Sequence, residues 1–250
     1  MKRRRETGFL QFKKIVRIII MAIITASVLA ACGTKPEDRE ARASAALSAK
    51  YHQEFEITQV YPQRFGDLYY EVQAYPAGDP QILFNAAIDT EDDQISDTYV
   101  ERRVCAAIAQ KAAENLDALP GYYYLFTHAV GPQPYSEDPA ISIADYLALN
   151  AYNKFRVYLF VVPEEKKPEA FYEAMTKLME GMDGLNGWAE LMIVNDEQME
   201  AVQAFFEEHD SPDFDFSQLT KDYFSLEIPY EKSVIGMSGE AFCAAVKEVL

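Results

Sequence analysis

The chain has 250 residues, of which 49% are hydrophobic and 13% aromatic, and its formal net charge at pH 7 is −17. This apolar content is sufficient for a packed core and excludes a disordered chain. The negative charge repels phosphate backbones, so the composition argues against nucleic acid as a partner.

The first 31 residues differ from the rest in charge and hydropathy. Seven Lys and Arg residues and one Glu lie between Lys2 and Arg17, and an uncharged apolar run of 14 residues follows over 18–31. A helix needs about 20 apolar residues to cross a bilayer, so this run has the length of a signal-peptide core instead. It leads into Leu29-Ala30-Ala31-Cys32, where small side chains precede a cysteine.

Residues 1–33 resemble the signal peptides of bacterial lipoproteins. The resemblance implies cleavage between Ala31 and Cys32 and attachment of a lipid to the Cys32 thiol, and the new amino group is sometimes acylated, for example with palmitate. Two or three acyl chains anchor a protein stably where one does not. We therefore expect a signal peptide over 1–31, a lipidated cysteine with a tether over 32–53, and a domain held at the extracytoplasmic side of the cell membrane. An uncleaved signal anchor and a plain secretory signal cut after Ala31 are the alternatives.

The remainder of the chain, residues 32–250, is more acidic than the whole. It contains 16 Lys and Arg against 39 Asp and Glu, which gives a net charge of −23. Such a surface repels anionic lipid headgroups, so the lipid and not the domain is expected to hold the protein at the membrane. Two further cysteines, Cys105 and Cys243, allow one disulfide, but their apolar helical neighbours favour two buried free thiols.

Apolar spacing predicts an α+β fold for the globular region, 54–250. A short solvent-exposed helix is expected over 37–52. An antiparallel meander of three strands should follow, and then one long helix with Ser96 as its candidate cap. The expected strands are 55–60, 68–75 and 81–88, and the expected helix is 95–119.

The second half alternates strands with helices, which predicts a mixed sheet with some parallel pairing. The expected strands are 122–130, 156–162, 188–194 and 224–228, and the expected helices are 142–150, 168–182, 196–208 and 239–250. The run 156–162 is strongly apolar and is expected at the centre of the sheet. A division into two structural units, about 54–130 and 140–250, also fits the pattern.

The chain lacks the sequence motifs of several common enzyme classes. The chain has no G-x-S-x-G elbow, no P-loop and no dinucleotide-binding glycine motif, and its three histidines lack the spacing of metal ligands. We therefore assign no catalytic residue and no cofactor.

One acidic segment is a candidate cation site. Asp210, Asp213 and Asp215 stand close together in a predicted loop and could offer carboxylate oxygens to calcium. The segment lacks the glycine and the distal glutamate of an EF-hand loop, and a solvated acidic loop is the favoured interpretation.

A run of tyrosines is a candidate recognition surface. Tyr122, Tyr123 and Tyr124 must alternate between the two faces of their predicted strand, so at least one is expected to be exposed. Tyrosine is common at recognition surfaces because it joins a large apolar ring to a hydroxyl. Packing of the tyrosines on both sheet faces is the alternative.

The layout of the mature region resembles that of small uncharacterised lipoproteins of Gram-positive bacteria. The resemblance implies a non-enzymatic binding or envelope-interaction module, with a protein or small-molecule partner that the sequence does not name. The alternatives are a small solute-binding receptor of a transporter and an extracytoplasmic hydrolase. A deep cleft between two sheet units would favour the receptor, and a buried cluster of titratable side chains in a pocket would favour the hydrolase.

Overall fold

The structure is a computed structural model that describes residues 36–64, 66–116, 119, 121–130, 136–149, 154–182, 185–208, 224–231, 234–248 and 250. The helices of this described part are α1 (Pro36–Tyr51), α2 (Tyr99–Ala113), α3 (Ile143–Leu149), α4 (Pro168–Gly181), α5 (Asp196–Glu208) and α6 (Gly239–Lys247). Its strands are β1 (Phe55–Val60), β2 (Tyr69–Pro76), β3 (Phe84–Asp89), β4 (Ile95–Asp97), β5 (Gly121–Val130), β6 (Lys154–Pro163), β7 (Asn186–Ile193), β8 (Phe224–Glu231) and β9 (Val234–Ile235). None of the described helices is long and apolar enough to span a membrane.

The strands form two sheets. The first is an antiparallel meander in the order β1-β2-β3-β4, and the second has the order β5-β6-β7-β8-β9. In the second sheet β6 and β7 run parallel, while the other neighbours are antiparallel. The predicted α+β fold, with a meander, a long helix and a mixed sheet, is therefore confirmed. Because β5 pairs with β6, the chain passes from one sheet to the other between residues 97 and 121.

The meander contains four strands where three were predicted. Residues 95–97 form β4, which pairs with β3 through Ile88 and Ile95. Helix α2 consequently begins at Tyr99, and the prediction that Ser96 caps it is wrong. Asp97 supplies the side-chain acceptor instead, because its Oδ1 accepts a hydrogen bond from the backbone N–H of Tyr99 at 2.9 Å.

Helix α1 is part of the core along its second half. Ala43 and Leu47 are fully buried and Tyr51 is almost so. The three residues are spaced four apart and therefore lie on one side of the helix. The prediction of a solvent-exposed helix is wrong for this stretch. The composition is rich in Ala and Ser, but these three residues form a narrow apolar stripe that packs into the core.

Both faces of β6 are covered, as expected for a central strand. On one face Val157 and Leu159 join a large core cluster that also takes side chains from α2, α4, α6 and the meander. On the other face Tyr158 and Phe160 join a smaller cluster with Phe206 of α5. Strands buried on both faces read as continuous apolar runs, which is why the sequence signal here was strong.

Three helices begin with a side chain that accepts a backbone hydrogen bond of the first turn. The hydroxyl of Ser142 accepts from the N–H of Asp145 at 3.1 Å, and Ser238 caps α6 in the same way. Asn195 and Gln198 form a reciprocal pair at the start of α5, in which each side-chain oxygen accepts the other residue's N–H. Such pairs satisfy backbone donors that the first helical turn leaves open.

Candidate functional site

The predicted tyrosine run lies on β5 and alternates as expected. Tyr122 is 44% exposed, and its hydroxyl donates a hydrogen bond to Oδ1 of Asp196. Tyr123 is half-buried against the large core cluster. Tyr124 lies on the opposite face, where its ring stacks on Phe206 at 5.9 Å between centroids. Of the three, Tyr122 alone is exposed, and its role in recognition stays a prediction.

Two other predicted sites fall outside the described residues. These are the lipidation and cleavage residues, Cys32 and Ala31, and the acidic loop residues, Asp210, Asp213 and Asp215. Among the residues that the structure does describe, no group of three or more His, Cys, Asp or Glu side chains is arranged to hold a metal ion.

The two cysteines of the described part are both free thiols. Cys105 in α2 is buried, as predicted. Cys243 in α6 is only half-buried, and burial together with the nearby Glu169 carboxylate raises the pKa of its thiol. A raised pKa lowers the thiolate fraction at neutral pH and with it the reactivity of the thiol.

A groove of about 730 Å³ runs between α1 and the β3–β4 turn. Its two cations are held by carboxylates: Arg42 Nη2 lies 2.5 Å from Asp93 Oδ1, and Lys50 Nζ lies 2.9 Å from Asp97 Oδ2. Lys50 also donates to the backbone oxygen of Ile95 on β4, the edge strand of the meander. The charges of this groove therefore hold α1 against the edge of the sheet.

The meander has a second face, opposite the core, that we call the outer face. Tyr70, Val72 and Ala74 of β2 are buried on the core side. The intervening residues of β2 point to the outer face, because side chains alternate along a strand. Glu71 is one of these and is exposed.

Strand register arranges the outer face in two rows. In the first row Glu71 lies opposite Ala87, and Ala87 lies opposite Ser96. Tyr61 closes this row, since its N–H donates to the backbone oxygen of Glu71 at 2.9 Å. The first row therefore crosses β2, β3 and β4 and ends at the residue that follows β1.

The second row consists of amides and a hydroxyl. Gln59 lies opposite Gln73, and Gln73 lies opposite Asn85. Thr98 ends the row, where its N–H donates to the backbone oxygen of Asn85 at 3.2 Å.

A shallow depression of about 430 Å³ lies on these two rows, and we call it the sheet trough. The small side chains of Ala87 and Ser96 form its floor between longer neighbours. The lining residues are Tyr61, Glu71, Asn85, Ala86, Ala87, Ser96, Asp97 and Thr98. This site was not predicted from the sequence. The polar face of the strand was nevertheless indicated by the alternation of apolar residues with Tyr69, Glu71, Gln73 and Tyr75.

Strand β1 contains a β-bulge that contacts Gln73 of the outer face. The register shifts between Ile57 and Gln59, so Thr58 is an extra residue on β1. Its hydroxyl oxygen lies 3.2 Å from both the backbone and the side-chain oxygen of Gln73. Gln73 is only 4% exposed, so its amide is held by neighbours in the middle of the face. Bulges commonly redirect side chains in this way.

The second sheet carries a group of cations stacked on the one tryptophan of the chain. Lys154 Nζ lies 5.1 Å, and the Arg156 guanidinium carbon 5.7 Å, from the centroid of the Trp188 ring. Arg156 and Trp188 are direct neighbours across β6 and β7. These distances are those of cation–π contacts, which stabilise the pairing of the two strands.

Together these features define an acidic two-sheet α+β domain with a polar antiparallel sheet face. A crystal structure of a DUF5037 family protein from Ruminococcus gnavus, solved at 2.55 Å resolution, has a similar fold, with a TM-score of 0.63. The similarity covers 84% of this chain and 98% of that chain, at 16% sequence identity. R. gnavus is a Gram-positive bacterium. No protein-family model and no curated protein matches the chain. An identity this low shows a common fold and carries no activity with it.

Proposed function

We propose that the protein is a lipoprotein, anchored in the cell membrane by a lipid on Cys32, whose domain binds a component of the cell envelope on the extracytoplasmic side. The observation that carries the proposal is the position of Leu29-Ala30-Ala31-Cys32 in the chain. A cut before Cys32 removes a basic and apolar leader and leaves every described helix and strand intact, since α1 begins at Pro36.

Chain length limits how far an anchored domain can stand from the membrane. Arg42 is the tenth residue after Cys32. Ten fully extended residues reach at most about 35 Å, and helical residues reach less. A lipid on Cys32 would therefore keep the start of the domain within this distance of the membrane, next to the cell envelope, which supports an envelope-interaction module.

The receptor and the hydrolase remain alternatives without a specific observation in their favour. The sheet trough is lined by the meander and the residues next to its strands, and the groove beside α1 is lined by α1, the β3–β4 turn, Ile95 and Glu137, so neither is lined by strands of both sheets. In the sheet trough Glu71 is an exposed carboxylate, whereas the Asp97 carboxylate is bound by Lys50 on the core side.

Replacement of Cys32 by alanine tests the anchor. In the native host we expect the wild-type protein to fractionate with membranes, to incorporate labelled fatty acid and to migrate at the size of the processed form. Cys32→Ala should remain as the larger precursor or be released, and it should incorporate no label. Cys243→Ala is the matched control, because it removes a thiol from the folded domain and should behave like wild type. If Cys32→Ala fractionates, labels and migrates like wild type, the proposal is wrong.

A further inference from the structure

We propose that the sheet trough binds a glycan, either neutral or carrying protonated amino groups. This inference rests on the proposed envelope-binding function and names the chemistry of its ligand. It is carried by the hydrogen-bonding groups, the shape and the charge of the trough.

The exposed polar groups of the trough form a mixed set of donors and acceptors. The Asn85 amide both donates and accepts, the Ser96 hydroxyl does the same, and the Glu71 carboxylate accepts only. The hydroxyl groups of a sugar also donate and accept at once, so they need partners of both kinds side by side. Neighbouring hydroxyls of one ring can bind an amide or a carboxylate at two points.

The apolar part of the trough suits the carbon face of a sugar ring. Ala87 presents a methyl group at the floor, and Tyr61 stands at one end of the same row. Tyr61 is half-buried. A ring that joins apolar surface to a hydroxyl is well suited to a ligand with both kinds of surface.

The shape of the trough favours a chain of sugars over a single ring. Each row has four positions, three on strands of the meander and one on a residue directly after a strand, and neighbouring positions lie about 4.8 Å apart, so a row is about 14 Å long. A volume of about 430 Å³ lies within the usual range for small-ligand sites, but the trough is open along its length. An open, elongated site of this size can admit a segment of a longer polymer.

Charge decides which glycans fit. Glu71 is the charged side chain that the trough presents, since the Asp97 carboxylate lies on the core side of the sheet, where Lys50 binds it, and the lining contains neither Lys nor Arg. Residues 32–250 carry a net charge of −23, so the surroundings reinforce the negative potential. Phosphate- or uronate-bearing polymers are repelled, whereas a neutral or amine-bearing chain is accepted.

Binding can be tested with purified full-length protein in detergent and three defined tetrasaccharides. The neutral probe is the β-1,4-linked tetramer of N-acetylglucosamine, the cationic probe is the corresponding glucosamine tetramer, and the anionic probe is a tetragalacturonate. Titrations followed by calorimetry and by saturation-transfer NMR give affinities. We expect the first two probes to bind and the third to bind at least tenfold more weakly.

Three variants locate the site. Asn85→Ala removes an exposed amide and retains the backbone N–H and C=O that bond to Thr98, so we expect an intact fold and at least a fivefold loss of affinity for the neutral tetramer. Glu71→Gln should weaken binding of the glucosamine tetramer more than that of the neutral one. Gln110→Ala, which removes an exposed amide from α2, is the matched control and should bind like wild type.

The results separate this inference from the proposed function. If wild type binds neither the neutral nor the cationic tetramer, if Asn85→Ala binds like wild type, or if tetragalacturonate binds as tightly as the others, the inference is wrong. A melting temperature of Asn85→Ala within a few degrees of wild type confirms that a loss of affinity arises at the trough. The anchor is tested by Cys32→Ala in cells, and that result does not depend on glycan binding by the purified protein.

Discussion

Lys50 Nζ lies 2.9 Å from Oδ2 of Asp97 and joins helix α1 to strand β4. The Asp97 side chain is 1% exposed and that of Lys50 is 14% exposed, so water screens this ion pair weakly. Asp97 also accepts hydrogen bonds from the Tyr51 hydroxyl at 2.8 Å and from the Tyr99 N–H at 2.9 Å. One carboxylate therefore links α1, β4 and α2.

Asp97→Asn should lower the free energy of unfolding by about 2 kcal/mol, because it leaves Lys50 without its anionic partner in a site of low exposure. Asp93→Asn is the matched control, since the Arg42–Asp93 pair is largely exposed and such pairs contribute about 0–1 kcal/mol. Asparagine also tolerates the left-handed backbone of residue 93, where φ is 58°. Urea unfolding measures both variants, and equal losses would contradict the assignment of Asp97 as the linking residue.

Leu47→Ala should destabilise the domain by about 3 kcal/mol, because Leu47 is fully buried between α1 and the meander. Leu149→Ala is the control, since that side chain is 53% exposed and its loss should change stability by no more than about 0.5 kcal/mol. Both values come from chemical unfolding. An effect of Leu47→Ala as small as that of Leu149→Ala would show that α1 is dispensable for the core.

The thiols of Cys105 and Cys243 should both react in the denatured, unreduced protein, and a reductant should leave the melting temperature unchanged. In the native Cys32→Ser protein we expect Cys243 to react before Cys105, because Cys105 is 1% exposed. The Cys243 reaction should accelerate as the pH rises beyond the ordinary thiol range, since its pKa is raised by burial. Ellman's reagent with mass spectrometry follows both residues. Fewer than two reactive thiols after denaturation would overturn the assignment.

Tyr122 should titrate with a pKa of about 12, chiefly because its hydroxyl donates to the Asp196 carboxylate. A pKa raised above the ordinary value of 10.0 means that the stabilising contact is fully present below that value and is lost as the pH rises through 12. Asp196→Asn should return the pKa toward 10.0, whereas Glu200→Gln, which removes the weakest of the contributing charges, should change it little. NMR of ¹³C-labelled tyrosine rings measures each value, and a Tyr122 pKa unaffected by Asp196→Asn would refute the assigned cause.

Local sequence signals predicted the elements whose residues carry their own pattern. The run 156–162 is continuously apolar, and it forms a strand covered on both faces. Ser142, Asn195 and Ser238 cap the helices that follow them, and these caps are local as well, because a capping side chain contacts backbone only two or three residues away. The predicted lipoprotein signal is local in the same sense, because it is read from residues 1–33 and depends on no fold.

Other features of the fold depend on contacts between segments that are distant in the chain. Residues 95–97 have no strand pattern of their own and extend only because β3 offers them a partner. The stripe of Ala43, Leu47 and Tyr51 was visible as spacing, but only the meander beside it makes that stripe a core surface.

The sheet trough shows most clearly which features follow from local sequence and which depend on tertiary structure. The sequence by itself determined an acidic α+β protein with a lipoprotein-like leader and strands that alternate polar with apolar residues. Only the tertiary structure brought Tyr61, Glu71, Ala87 and Ser96 into one row, since their alignment depends on the registers of three strand pairs. A shift of one residue in any of those registers would turn a strand's side chains to the opposite face, and register is set by the packing of the whole sheet on its core.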